Sequence, residues 1–249
     1  MRYILETIAF NIESCKLAQA AGAHRIELCD NPGEGGTTAS YGFIKAARQV
    51  LKIELFPIIR PRGGDFFYSD DEFEIMKTDL QVCKEQGCDG IVFGILNDDA
   101  TIDKVRCKIL VQLAYPMSVT FHRAFDRVTE PSQALEDVIE CGFERILTSG
   151  FYPTAMEGSD NLKKLIQVAD ERIIIMPGSG VRSSNIGELA KTTSAIEFHS
   201  SARKIRNSNM KGLNNNMNEN LQSVGIDEAE IKEMVNILTE HNNQDKLSK

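Results

Sequence analysis

SVTFHRAFDRVTEPSQALEDVIECGFERILTSG, residues 118–150, contains one full repeat of the architecture. Ser118–His122 alternates with period two and reads as a short strand. Pro131 and Ser132 open a helix that stops at Gly142, and Arg145–Thr148 reads as the next strand. Two strands joined by a helix of this length pair in parallel through a right-handed crossover.

The same unit recurs on both sides. Strands are expected at Ile4–Ala9, Arg25–Cys29, Glu54–Arg60, Gly90–Gly94, Arg172–Met176 and Ala195–His199. Helical stretches lie between them: Ser14–Ala21 before Gly22, Ser40–Leu51 behind a serine cap, a run from Ser69-Asp70-Asp71-Glu72 to Gln86, and a seventh capped by Ser183-Ser184-Asn185. Eight such units in about 200 residues predict an α/β fold of the (β/α)8 TIM-barrel class, in a single domain. The rival is a doubly wound open sheet. It is disfavoured because the first strand–helix turn, FNIES, has no glycine-rich fingerprint. Residues 1–205 form the expected barrel core, and residues 206–249 an asparagine-rich loop plus a C-terminal outer helix. Within the latter, 207–222 reads as loop, Ile226–Leu238 recovers helical spacing, and 240–249 are expected to fray.

The chain of 249 residues carries a formal charge of -8, which argues against nucleic acid as a partner. With no leader and no apolar run long enough to span a bilayer, a cytoplasmic protein is expected, without a membrane partner. Six cysteines show no CxxC spacing and are expected to be reduced core residues.

In such barrels the chemistry sits where strands give way to βα loops. Glu6, Glu27, Arg60, His122, Glu197 and His199 share inward parity on their strands, and buried charge is costly unless paired. One reading is an internal salt-bridge network of Glu6, Glu27 and Glu197 against Arg60 and the histidines. The other is a site in which Glu27, His122, Glu197 and His199 are the catalytic candidates. MPGSGV (176–181), the loop after strand 7, and HSSAR (199–203), after strand 8, point to an anion held by Gly178, Gly180, Ser201 and Arg203. Arg60, Arg62, Asp65, Arg123 and Ser149 complete the substrate- or anion-binding candidates. Within IIRPRGGDF (58–66), Arg62 and Asp65 also suit a brace of the loop, while Arg60 faces the pocket. Cys29 is a candidate metal ligand, with a histidine or carboxylate beside it.

RIELCDNPGEGGTTASYG, IIRPRGGDFFYSDDE, VTFHRAFD, RILTSG, MPGSGV and EFHSSAR resemble, in order, the motifs of the CutC family, over about residues 3–205. The resemblance implies a TIM barrel, a cytoplasmic homodimer and a role in copper homeostasis, with copper as the associated metal. In members proposed to bind Cu(I) the ligands are two thiolates. Carried over, one position is Cys29 and the other is Ile8. Two function classes therefore stand side by side: a copper-handling protein acting through Cys29, and an enzyme on a small anionic or phosphorylated metabolite. In the second, Arg60 with Gly178–Gly180 forms the anion site, and His122, Glu27 or Glu197 supplies the acid/base.

Overall fold

A computed structural model describes residues 3–212 and 214–247. Eight parallel strands form the barrel wall: β1 (Ile4–Ala9), β2 (Arg25–Leu28), β3 (Glu54–Pro57), β4 (Gly90–Phe93), β5 (Ser118–Phe121), β6 (Arg145–Thr148), β7 (Ile174–Pro177) and β8 (Glu197–Ser200). Seven helices follow the first seven strands: α1 (Ile12–Ala20), α2 (Tyr41–Val50), α3 (Asp70–Glu85), α4 (Lys104–Ala114), α5 (Pro131–Cys141), α6 (Ser159–Ala169) and α7 (Ile186–Thr193). The ladders run β3-β2-β1-β8 and β4-β5-β6-β7. A parallel bridge between Ile58 and Val92 joins them, and β7 lies beside β8 to close the ring.

The alternation of each strand separates two cores. Leu5, Ile26, Leu55, Ile91, Val119, Ile146, Ile175 and Phe198 face outward and pack beneath the helices. Ile8, Cys29, Phe56, Ile58 and Val92 form a second, smaller apolar cluster inside the barrel. That inner cluster cannot fill the bore, and polar side chains occupy the rest.

Several boundaries differ from expectation for local reasons. α1 begins at Ile12 because Asn11 caps it, its Oδ1 accepting the Ser14 N–H at 2.8 Å. Ser69 and Glu72 form a reciprocal capping box on α3. On α7, Asn185 Oδ1 closes a turn onto the Arg182 N–H, and Ser183 is held by Glu230 from the final helix. After β8 the chain makes an antiparallel hairpin, β9 (Arg203–Arg206) with β10 (Ser223–Ile226). Ile226 is thus a strand residue. The last helix, α8 (Glu228–Leu247), starts after it and stays helical over 240–247, which were expected to fray; 248–249 lie outside the described residues. It packs against α7 and α1, over the β8–β1 side of the barrel. The asparagine-rich segment is the hairpin's connection. It contains one 3-10 turn, Asn215–Met217, and local side-chain bonds such as Gln222 Nε2 to Asn207 Oδ1.

Candidate functional site

The floor of the bore is an ion network. Arg25, almost fully buried, donates through Nε to Glu6 at 2.9 Å and through both Nη atoms to Glu197. Arg145 Nε donates to the same Glu197 oxygen at 3.1 Å, and its Nη1 reaches Thr120 Oγ1 at 3.4 Å. Both guanidinium groups lie over the Phe56 ring, 4.9 and 5.4 Å from its centroid. Glu197 is therefore a structural counter-ion at the base, and it does not line the cavity above. The arginines that neutralise the barrel glutamates are Arg25 and Arg145, not Arg60. Parity carried a signal for Arg25, which alternates with Glu27 and Cys29 on one face of its strand.

One layer up, His199 sits between two carboxylates. Its Nδ1 lies 2.8 Å from Glu6 Oε1 and its Nε2 lies 3.7 Å from Glu27 Oε2. Burial opposes ionisation of Glu6, yet the Arg25 charge and the bond to His199 outweigh it and hold the pKa down to about 2. Burial likewise opposes a charged His199, but the bond to Glu6 and the charge of Glu27 raise its pKa. Glu27 has no such compensation. Burial pushes it up to about 7; the His199 charge opposes this rise and the Glu6 charge adds to it. One layer thus contains a carboxylate kept ionised and another poised to exchange a proton near neutrality.

The residues do not fit a Cu(I) thiolate site. Cys29 is fully buried among Ile8, Phe56, Ile58 and Val92, and burial, with Glu27 adding, pushes its thiol well above the ordinary range. Ile8, at the second thiolate position that the resemblance implies, packs in the same cluster and offers only carbon. Among the described residues, one Cys/His/Asp/Glu group brings three ligand atoms within 4.8 Å of one another: Glu6, Glu27 and His199, without Cys29. That group already has its counter-charges, Arg25 on Glu6 and His199 between the carboxylates.

His122 follows β5 on the opposite wall. It caps a 3-10 turn, Arg123–Arg127, with Nδ1 accepting the Ala124 N–H at 3.2 Å. A neutral imidazole that accepts at Nδ1 carries its hydrogen on Nε2. Burial, with the Arg60 charge adding, drives the His122 pKa down to about 3, so the ring is neutral. Nε2–H is buried and has no partner. Space for the ring comes from Gly94, where a Cβ would lie 2.7 Å from Nδ1.

Arg60 lies between the loops. Nη1 donates to the carbonyls of Glu34 and Gly36, both at 2.7 Å, and Nη2 to that of Gly64 at 2.8 Å. Its guanidinium covers Phe66, 5.0 Å from the centroid, and its Nε–H is buried without a partner. Most of this arginine assembles the loops, and the buried Tyr68 hydroxyl lies beside it.

The other residues singled out from sequence divide by location. Arg62 braces its own loop, bonding Glu72, Asp65 and the carbonyls of Gly63 and Phe67; it lines no cavity. Asp65 borders the outer vestibule, paired with Arg62. Ser149 lies behind the wall, donating to the Tyr152 carbonyl and accepting from Arg123 Nη2. Gly178 spends its N–H on the Thr148 carbonyl at 2.9 Å, extending the strand ladder, so it has no N–H for an anion. Gly180, Ser201, Arg203 and Arg123 do line the inner cavity. Sequence reasoning missed Asp126. Its carboxylate accepts from Thr148 Oγ1, from the N–H groups of Ser149 and Phe151, and from Arg123 Nε at 2.8 Å. It fixes both the β6–α6 loop and the aim of Arg123.

These groups enclose an inner cavity of about 330 Å3 at the C-terminal mouth of the barrel, beneath a vestibule of about 810 Å3. Its lining carries one carboxylate, Glu27, with His199 beside it, and the donors His122, Arg60, Arg123 and Arg203. The layout suits a small molecule with an anionic group, and it can move a proton.

The CutC family model matches residues 3–204. The chain is 53% identical over 203 residues to a family protein CutC of Chromobacterium violaceum, covering 82% of each chain. It is 46% identical over 215 residues to the human copper homeostasis protein cutC homolog, covering 86% of this chain and 79% of that one. The crystal structure of CutC from Streptococcus agalactiae superposes with a TM-score of 0.76 at 34% identity, over 79% of this chain and 97% of that one.

Proposed function

The chain belongs to the CutC family, and from that premise we propose that it takes part in copper homeostasis, as a cytoplasmic homodimer, through a small-anion site at the barrel mouth. The human and mouse relatives carry copper homeostasis in their names, which supports the process. One observation carries the site: a buried donor, His122 Nε2–H, lacks a partner in a cavity that Arg60, Arg123 and Arg203 also line. A buried donor without a partner costs about 1–3 kcal/mol, a cost that an anionic ligand bonded there would recover. The copper role does not pass through Cys29, which lacks a second thiolate: Ile8 packs at that position, and the polar group beside the thiol is the Glu27 carboxylate. No described helix is long and apolar enough to cross a membrane.

Two measurements test this reading. Thermal shift with inorganic phosphate, pyruvate, 2-oxoglutarate and sugar phosphates should show stabilisation by at least one, reduced at least tenfold in apparent affinity by Arg123→Gln. Stabilisation by none of them would refute the site. Competition with a Cu(I) chelator should find no tight Cu(I) site on the purified protein. A tight site lost in Cys29→Ser would refute the separation of copper from this thiol. Sedimentation velocity checks the dimer.

A further inference from the structure

The polar groups of the inner cavity differ in kind, and the difference specifies a reaction. Among the donors, His122 presents a neutral N–H. The tautomer follows from the Ala124 N–H bonded to Nδ1, and the ring has no counter-carboxylate among its contacts. Phe66 lies 4.7 Å from it and Phe121 6.1 Å, centroid to centroid, so the ring is held by apolar surfaces. A neutral imidazole donor suits a carbonyl oxygen, because it strengthens its bond as charge develops there and adds no fixed positive charge to the resting state. Glu27 is the one cavity-lining carboxylate, 3% exposed and backed by His199 at 3.7 Å. Arg60, whose charge acts on His122, and Arg123 supply positive charge to the cavity.

Resting on the small-anion reading of this site, we infer that the barrel mouth catalyses proton transfer at a carbon next to a carbonyl, in a small carboxylated or phosphorylated substrate. Arg60 and Arg123 hold the anionic group, and His122 Nε2–H holds the carbonyl oxygen. Glu27 takes the proton from the adjacent carbon. The C–H electron pair becomes the C=C bond and the C=O π pair moves onto oxygen, giving an enolate bonded to His122. Return of the proton from Glu27 to the same carbon re-forms the C=O bond and gives exchange or epimerisation; where that carbon carries a hydroxyl, its O–H proton passes to the enolate oxygen, its oxygen becomes the new carbonyl, and the proton from Glu27 goes to the former carbonyl carbon, giving the isomer. Atoms and electrons balance without a co-reactant. The proton affinity of Glu27 near neutrality lets it both take and return the proton.

The test is solvent exchange. Full-length protein in D2O is incubated with pyruvate, 2-oxoglutarate, dihydroxyacetone phosphate or ribose 5-phosphate, and loss of the C–H signal is followed by proton NMR. At least one probe should exchange faster than in buffer. Glu27→Gln should slow exchange at least 100-fold and His122→Gln at least 10-fold, the latter with a near-native melting temperature and the former with one at or above that of the parent. The rate should rise with pH about a midpoint near 7 as Glu27 ionises. The same signal in Glu27→Gln would reveal a contaminant and overturn the inference. If a probe binds, by a thermal shift weakened in Arg123→Gln, yet none exchanges, the proton-transfer inference fails and the binding site stands. If no probe either binds or exchanges, both fall.

Discussion

Replacing Glu27 with glutamine should stabilise the fold at alkaline pH and leave it nearly unchanged in acid. Glu27 is 3% exposed, and its pKa rises from 4.5 to about 7 on folding, chiefly through burial. A raised carboxyl pKa means that the folded state binds the proton more tightly than the unfolded state. Stability from this group is present in full below pH 4.5 and is lost as pH rises through about 7. At about 1.4 kcal/mol for each tenfold change in proton affinity, the ionised carboxylate weakens the fold by about 3 kcal/mol above pH 8. Glutamine has the same shape and no charge, so it removes this penalty. The pull of His199 is already contained in that net rise, so the expected gain stays at about 3 kcal/mol. For a chain of this size that is a rise in Tm of about 6–12 °C. Melting followed by circular dichroism at pH 8.5 and pH 4.5 measures both ends. A Glu27→Gln protein equal to or less stable than the parent at pH 8.5 would refute the reasoning, and with it the view of Glu27 as a group that costs stability for function.

Three further outcomes follow from the same geometry. Arg25→Met should lower stability by about 3–5 kcal/mol, since it leaves the buried carboxylates of Glu6 and Glu197 short of their main counter-charge; denaturant midpoints check it. Ile8→Cys should create Cu(I) affinity that the parent protein lacks, because residue 8 packs with Cys29 inside the barrel; chelator competition before and after the substitution decides it. Asp126→Asn should loosen the loop after β6 and misdirect Arg123, weakening phosphate or carboxylate binding about tenfold while lowering stability by about 1–3 kcal/mol; thermal shift with and without anion reads both effects.

The barrel was legible in the sequence because each strand is a short β-branched run and most helices announce their start or stop with a cap, a proline or a glycine. The inward set was legible from alternation alone for Glu6, Glu27, His122 and His199. Pairing was not. Arg25 and Arg145 stand first in their strands, where an arginine reads equally well as a solvated flank. Only the closed barrel brings Arg25, Arg145 and Glu197 onto one floor. Arg60 looked like a ligand-binding arginine because it leaves a strand end. The structure gives most of its donors to loop carbonyls about 25 residues earlier and four later. Asp126 had no sequence signal beyond an acidic residue in a turn, because its partners other than Arg123 lie more than 20 residues on. The hairpin of β9 and β10 was hidden because its first strand, RKIR, is charged and its second lies beyond the asparagine-rich connection.

The account turns on His122 as a neutral, unpartnered N–H donor in the mouth of the barrel, and the chain has only four histidines to resolve. Ring-nitrogen NMR of histidine-labelled protein, with His122→Gln to assign the signal, observes that state directly. The account predicts a His122 ring protonated at Nε2 alone and unchanged from pH 5 to 9, with Nε2 shifting when a bound anion is added. A His122 that titrates near 6.5, or that carries its hydrogen on Nδ1, would contradict it.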